Sequence, residues 1–197
     1  MTVEDFDDAD RCMNVAATLL GYGVASSRHP CHLIIVATVG TDGWPQARTV
    51  VLRHFDRETR RIGFHADLRS PKIAELRRDP RLSIVCYDPM SRVQLRIAAR
   101  AVVHHDDELA RAAWSRSQPM SRACYNTPIP PSSELPPGAD WTAPPVPDES
   151  DATAFRSFAV VECHYEAIEI LWLRAQGHVR VRLTWPGGLV NLTRLGP

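Results

Sequence analysis

RTVVLRHFDRETRRIGFHADLRSPK, from Arg48 to Lys72, reads as two strands joined by a polar turn and followed by the start of a helix. Arg48-Thr49-Val50-Val51-Leu52-Arg53 is rich in β-branched residues, and its two arginines stand five residues apart. Arg57 to Arg61 is polar, and Ile62-Gly63-Phe64-His65-Ala66 resumes as a short strand. Ser70-Pro71-Lys72 supplies a capping hydroxyl, a proline at the first helical position and a first-turn lysine. A helix start offers unpaired N–H groups and the positive end of the helix dipole, so a hydroxyl and an ammonium there form an anion site. Solvated charges around a hairpin are the plainer reading of the same residues. Against it, 22 of the 23 basic residues are arginine and the single lysine is Lys72, a position that keeps a compact ammonium.

Working outward, Cys12, Val15, Ala16, Leu19 and Leu20 recur at helical spacing and predict an amphipathic helix over Asp7–Val24. His32 to Val39 is a dense β-branched run, expected to be buried on both faces. Thr41-Asp42-Gly43 is a hairpin turn, and Gln46 to Phe55 returns as the partner strand carrying Arg48 and Arg53. The helix from Pro71 is expected to stop at Asp79-Pro80, with a strand over Leu82–Tyr87. Arg92 to His104 is a long strand. It sets Gln94, Arg96, Ala98 and Arg100 on one face and Val93, Leu95, Ile97 and Ala99 on the other. A short helix is expected over Asp106–Ser115, capped by Asp106 or Asp107.

From Ser117 to Ser150 periodicity is lost. Eight of the sixteen prolines lie between Pro128 and Pro147, which predicts an irregular, polyproline-like excursion, with Tyr125 and Trp141 pointing to partial docking. Four more strands, over Ser157–His164, Ala167–Leu173, His178–Thr184 and Leu189–Leu195, complete the sheet. Many strands, tight turns and few helices make residues 1–197 one mainly β domain, a barrel with peripheral α-helices.

Composition narrows the function. A chain of 197 residues with 44% hydrophobic and 23% charged content buries a proper core. Twenty-three acidic residues balance the 23 basic ones, so no global field draws the protein to nucleic acid or to a membrane surface. No apolar run reaches spanning length and the acidic start is unlike a secretory signal, so a cytoplasmic location is expected. Five scattered cysteines, never in CxxC, argue against a disulfide framework and against a metal site. No GxSxG, HExxH, P-loop or Rossmann fingerprint is present.

RTVVLR, FHADLRSPKIAELRRDPRLSIVCY and SRVQLRIAARA together resemble the pyridoxamine 5′-phosphate oxidase-like flavoproteins, which are built on the FMN-binding split barrel with Greek-key topology. The resemblance runs from about Leu33 to Val103 and resumes in IEILWLRAQGHVRVRL and the final RLGP, over well more than half of the chain. It implies a homodimer with FMN at the subunit interface, a small-molecule substrate and an oxidoreductase activity. It assigns the FMN phosphate to Arg48, Ser70 and Lys72, and the ring and ribityl chain to Thr49, Val50, Val51, Phe64 and His65. Gln94 is implied to reach the flavin from the second subunit, with Trp172 and Arg182 from the C-terminal strands; ordinary core packing is the other reading of Trp172.

The departures fall on the substrate side. The family motif Arg-Leu-His-Asp-Arg stands here as His178-Val179-Arg180-Val181-Arg182, so the first Arg and the His are exchanged. Arg53 replaces a lysine, Ala66 a threonine and Pro71 an arginine, and His65 takes the place of an aromatic. Arg53, His178 and Arg180 are therefore the candidate substrate residues, and pyridoxal chemistry is not expected of them. A non-catalytic protein that stores or senses flavin, or houses haem in the same barrel, is the alternative.

Overall fold

Period-two alternation builds eight strands in the computed structural model, which describes residues 2–138, 144–148 and 152–196. They are β1 (Leu33–Val39), β2 (Pro45–Asp56), β3 (Arg61–Asp67), β4 (Arg81–Asp88), β5 (Val93–His104), β6 (Phe158–Trp172), β7 (Val179–Thr184) and β8 (Asn191–Leu195). Their order is β3-β2-β1-β4-β5-β6-β7-β8, and β3 also pairs with β6. Six antiparallel strands thus close a barrel, and β7 and β8 extend from it. The β1–β2 turn places Gly43 at φ 88°, a left-handed conformation that glycine adopts without a Cβ penalty.

The two strands expected over 157–164 and 167–173 are one strand, β6. Ala98 faces Ala167 and Ala99 faces Tyr165, leaving Glu166 as an extra residue. A bulge of this kind bends and twists its strand. Before it β6 pairs with β3, and after it with β7, while β5 lies along both halves. The bulge is what lets one strand both close the barrel and carry the extension.

Val93, Leu95, Ile97 and Ala99 point into the core with Ile34, Val36, Phe64, Ile84 and Tyr165. Helix α1 (Ala9–Ala25) adds Cys12, Met13, Ala16 and Leu20, and Asp8 caps it by accepting from Arg11 N at 3.0 Å. The expectation that β1 is buried on both faces fails. Ile34 and Val36 are covered, but Leu33 is 55% and Ile35 47% exposed on the outer face. The inner face fills the barrel, and among the described residues no second layer covers the outer one.

Of the stretch expected to be irregular, 128–138 and 144–148 carry no helix or strand, as read, whereas its start forms one short helix at Pro119–Ala123. Helix α2 (Pro71–Arg78) is followed after β5 by α3 (Glu108–Arg116), α4 (Pro119–Ala123) and α5 (Ala152–Arg156). Trp114, Tyr125 and Phe155 gather on Phe158, with ring centroids 5.3, 5.0 and 6.4 Å from it. Arg69, clamped on Asp67, also donates to Thr127 O and Oγ1 at 2.9 Å each, which pins the segment after α4 to the β3–α2 turn. Tyr125 is docked as anticipated, whereas Trp141 lies outside the described residues. Asp107 caps α3, its Oδ1 accepting from Ala110 N at 2.8 Å. Replacing it by alanine is expected to cost about 0.5–2 kcal/mol. A thermal melt of Asp107→Ala that coincides with the parent's would contradict that assignment.

Candidate functional site

Two features are built on β2, β3 and the elements beside them. The first is a half-buried cation cluster around a buried serine. Ser70, the residue before α2, is 2% exposed, and its hydroxyl donates to Asp67 O at 2.6 Å while accepting from Lys72 Nζ at 3.1 Å. The hydroxyl makes no capping bond to α2, Pro71 has no N–H and Ile73 N donates to Ser70 O at 3.0 Å, so the Lys72 N–H is the first-turn donor left without a cap. Burial, with the neighbouring charge of Arg48, pushes Lys72 below the ordinary lysine pKa, against the pull of Asp67 and Glu75. Two cations are thus held close together in a partly dehydrated place.

Arg48 is positioned by two residues that the sequence reading did not single out. Its guanidinium donates to Thr38 Oγ1 and, at 2.8 Å, to Glu75 Oε2, and Thr38 Oγ1 in turn donates to that oxygen at 2.5 Å. Glu75 is 5% exposed. A guanidinium has five N–H donors, so these bonds fix its orientation and leave others available. Two cations with unused N–H groups, beside the positive end of a helix whose Lys72 N–H is uncapped, are donors a phosphate dianion can take, so these residues fit the phosphate of FMN.

The second feature is a cavity of about 550 Å³ on the outer face of the barrel. Gly63 and His65 of β3, with Val160 and Glu162 of β6, form its floor, and Arg53 and His54 of β2 one side. Leu109, Ala113 and Arg116 of α3, spaced four and three residues apart, roof it together with Ser117, Gln118 and Ser121. Phe64 lines it as well, although its side chain is core. Burial, reinforced by the charge of Arg53, pushes His65 down to about 4, so its imidazole is neutral at neutral pH. Of the predicted site residues, Arg53, Phe64 and His65 reach this cavity. Arg116 and Glu162 were missed, although the Leu109–Ala113–Arg116 spacing marks one helix face.

The remaining candidates lie elsewhere. Registers run Gln94–Leu171–Arg180 and Arg96–Glu169–Arg182 across β5, β6 and β7, which brings Gln94, Arg180 and Arg182 onto one outer patch. Glu169 accepts there from Arg96 at 2.6 Å, Arg180 at 2.9 Å and Arg182 at 2.7 Å. Trp172 is on the opposite face, stacked on Phe6 with centroids 5.4 Å apart, and takes a packing place. His178 Nδ1 accepts from Arg174 N at 3.2 Å. Neither His178 nor Arg180 lines the cavity of its own chain. Thr49 is exposed on β2, and Val50 and Val51 are half-buried beside it.

The Glu169 cluster carries a pH prediction. Burial alone would raise this carboxyl, but hydrogen bonds from Arg96, Arg182 and Arg180 outweigh it and hold the group at about 2, against an ordinary 4.5. A depressed carboxyl adds stability that is complete above the ordinary value and drains away as pH falls toward the folded one. The urea midpoint should therefore decline between about pH 4.5 and 2, and Glu169→Gln should lose that part of the decline. Parallel midpoint-against-pH curves for the two proteins would contradict this.

Comparison with known proteins bears on the family and the fold. The pyridoxamine 5′-phosphate oxidase family profile matches residues 25–141. Pyridoxine/pyridoxamine 5′-phosphate oxidase 2 of Arabidopsis thaliana is 33% identical over 121 residues, covering 57% of this chain and 61% of its own length. The chain thus spans less than two thirds of that relative. Among solved structures, a pyridoxamine 5′-phosphate oxidase-related, FMN-binding protein from Nostoc punctiforme superposes with a TM-score of 0.76 at 22% identity, covering 93% of this chain and 96% of that one. PhzG from Burkholderia lata, solved with tetrahydrophenazine-1-carboxylic acid, gives 0.72 at 21% identity over 98% and 96% of the two chains. The split-barrel fold is shared with these structures, and the chain belongs to the pyridoxamine 5′-phosphate oxidase family.

Proposed function

We propose that this protein is an FMN-dependent oxidoreductase acting on a small anionic substrate held in the cavity between β3, β6 and the α3–α4 roof. The observation that carries the proposal is the half-buried Arg48–Ser70–Lys72 cluster, with Arg48 five residues along β2 from Arg53 at the edge of the cavity. FMN supplies a two-electron acceptor, and the chain supplies binding and electrostatics. Arg48 and Lys72 hold the phosphate, and the outer face of β2 and β3 receives the ring. Arg53 and Arg116 draw the acidic group of the substrate, and neutral His65 offers one donor and one acceptor without adding charge. Fluorescence titration tests this. FMN should saturate at one equivalent per chain, and riboflavin, which lacks the phosphate, should bind far more weakly. Equal affinity for the two would place the phosphate outside this cluster.

The same reading includes a two-fold homodimer. Leu33, Ile35, Val39 and Tyr87 expose apolar surface on the outer barrel face, next to Gln94, Arg96 and Arg100 of β5. Burying that face against a second copy covers the apolar surface and brings the Gln94–Arg180–Arg182 patch to a shared site, in the isologous manner usual for dimers. Sedimentation should report a dimer. A stable monomer that still takes up flavin would contradict it.

A further inference from the structure

The cavity is not uniformly cationic. Glu162 of β6 stands in its floor, in register with Gly63 of β3, which in turn pairs with His54 of β2. Its side chain is 17% exposed. Both protein neighbours of its carboxylate sit on the same oxygen: Arg61 donates to Oε1, and His104 Nε2 lies 4.0 Å from Oε1. Oε2 has no partner among the described residues. A carboxylate offers about four acceptor directions, so the Arg61 bond leaves most of that capacity open. Arg61 is itself 47% exposed, and an ion pair so open to water compensates the charge only weakly.

His104 does not take up the slack. Its Nδ1 bonds Asp107 at 2.8 Å, and its buried Nε2 has no hydrogen-bond partner. One cavity is therefore lined by a carboxylate whose second oxygen has no protein donor among the described residues and, on other walls, by two arginines.

We infer that Glu162 Oε2 receives a cationic group of the substrate, so that the cavity selects molecules carrying an amine as well as an acid. This deepens the reading of the cavity as the substrate site and rests on it. Arg53 and Arg116 hold the acidic end, Glu162 the ammonium, and Leu109, Ala113 and Val160 cover the apolar body between them. A bare anion leaves Oε2 without a partner, which a site built from polar groups penalises.

The test is calorimetric binding to FMN-loaded protein, with 4-(aminomethyl)benzoate and 4-methylbenzoate as probes. The titrations are run at pH 8. The amine-bearing probe should bind at least about tenfold more tightly, the scale of a charge-assisted hydrogen bond. Glu162→Gln should reduce the preference below about threefold, and Arg116→Ala should weaken both probes. If Arg116→Ala weakens both but the native protein shows no preference, or Glu162→Gln retains it, Glu162 does not read the amine and the cavity reading stands. If neither probe binds, or Arg116→Ala leaves both unaffected, the cavity reading itself fails and this inference fails with it. The comparison of the two probes on the native protein needs no variant, so it decides the matter even if Glu162→Gln folds poorly.

Discussion

Replacing Arg48 by alanine is expected to weaken FMN binding by about 2–4 kcal/mol, the loss typical when one partner of a desolvated charge pair is removed. That corresponds to roughly 30- to 700-fold in Kd. Two losses add. The phosphate forfeits a charge-assisted donor, and Glu75, 5% exposed and bonded at 2.8 Å to Arg48, is left facing the dianion as a like charge. The upper half of the range is therefore expected, together with some loss of fold stability. Riboflavin separates these effects, since it shares the ring but lacks the phosphate. The parent and Arg48→Ala should bind it almost equally weakly. Measured by fluorescence quenching, an Arg48→Ala chain that retains parental FMN affinity would move the phosphate elsewhere. If riboflavin binding falls in parallel with FMN, Arg48 acts through the fold and not through the phosphate.

The second large effect is on turnover. FMN-loaded protein is expected to oxidise pyridoxamine or pyridoxine 5′-phosphate at well under about one per second, the low end of ordinary enzyme rates. Exchange of the first Arg and the His for His178 and Arg180 moves both a charge and a hydrogen-bonding group. The structure adds that both side chains are already engaged. Arg180 is bound to Glu169 with Arg96 and Arg182, and His178 accepts from the Arg174 backbone. A phosphate ester drawn to Arg53 and Arg116 would bind without the groups that orient it for oxidation, and misorientation alone costs orders of magnitude in rate. Pyridoxal phosphate absorbance or oxygen consumption measures this. Turnover at or above about one per second would return these two residues to an ordinary substrate role.

What was legible in the sequence is what lies close together along it. The alternation of β5 needed only period two, and its inward Val93, Leu95, Ile97 and Ala99 are buried as read. Ser70-Pro71-Lys72 could be recognised because a helix start is a local object. The Thr38–Glu75–Arg48 triad could not, because β1, α2 and β2 each contribute one member and nothing local links them. Arg116 and Glu162 were hidden for a similar reason. Their cavity exists only because the Trp114–Tyr125–Phe158 cluster docks the α3–α4 roof onto β6. The Glu166 bulge was lost when β6 was read as two strands, and with it the parity that sets Glu169 outward and Trp172 inward. The outer face of β1 misled in another way, since a run of β-branched residues has the same pattern whether its second face meets its own chain or a partner.

The most direct test of the account is the absorption spectrum of the purified protein, followed by identification of whatever chromophore denaturation releases. The account predicts flavin bands, with FMN released in amounts equimolar to the chain, or a flavin spectrum recovered on adding FMN to protein purified without it. A haem spectrum, or protein that takes up no FMN, would contradict it.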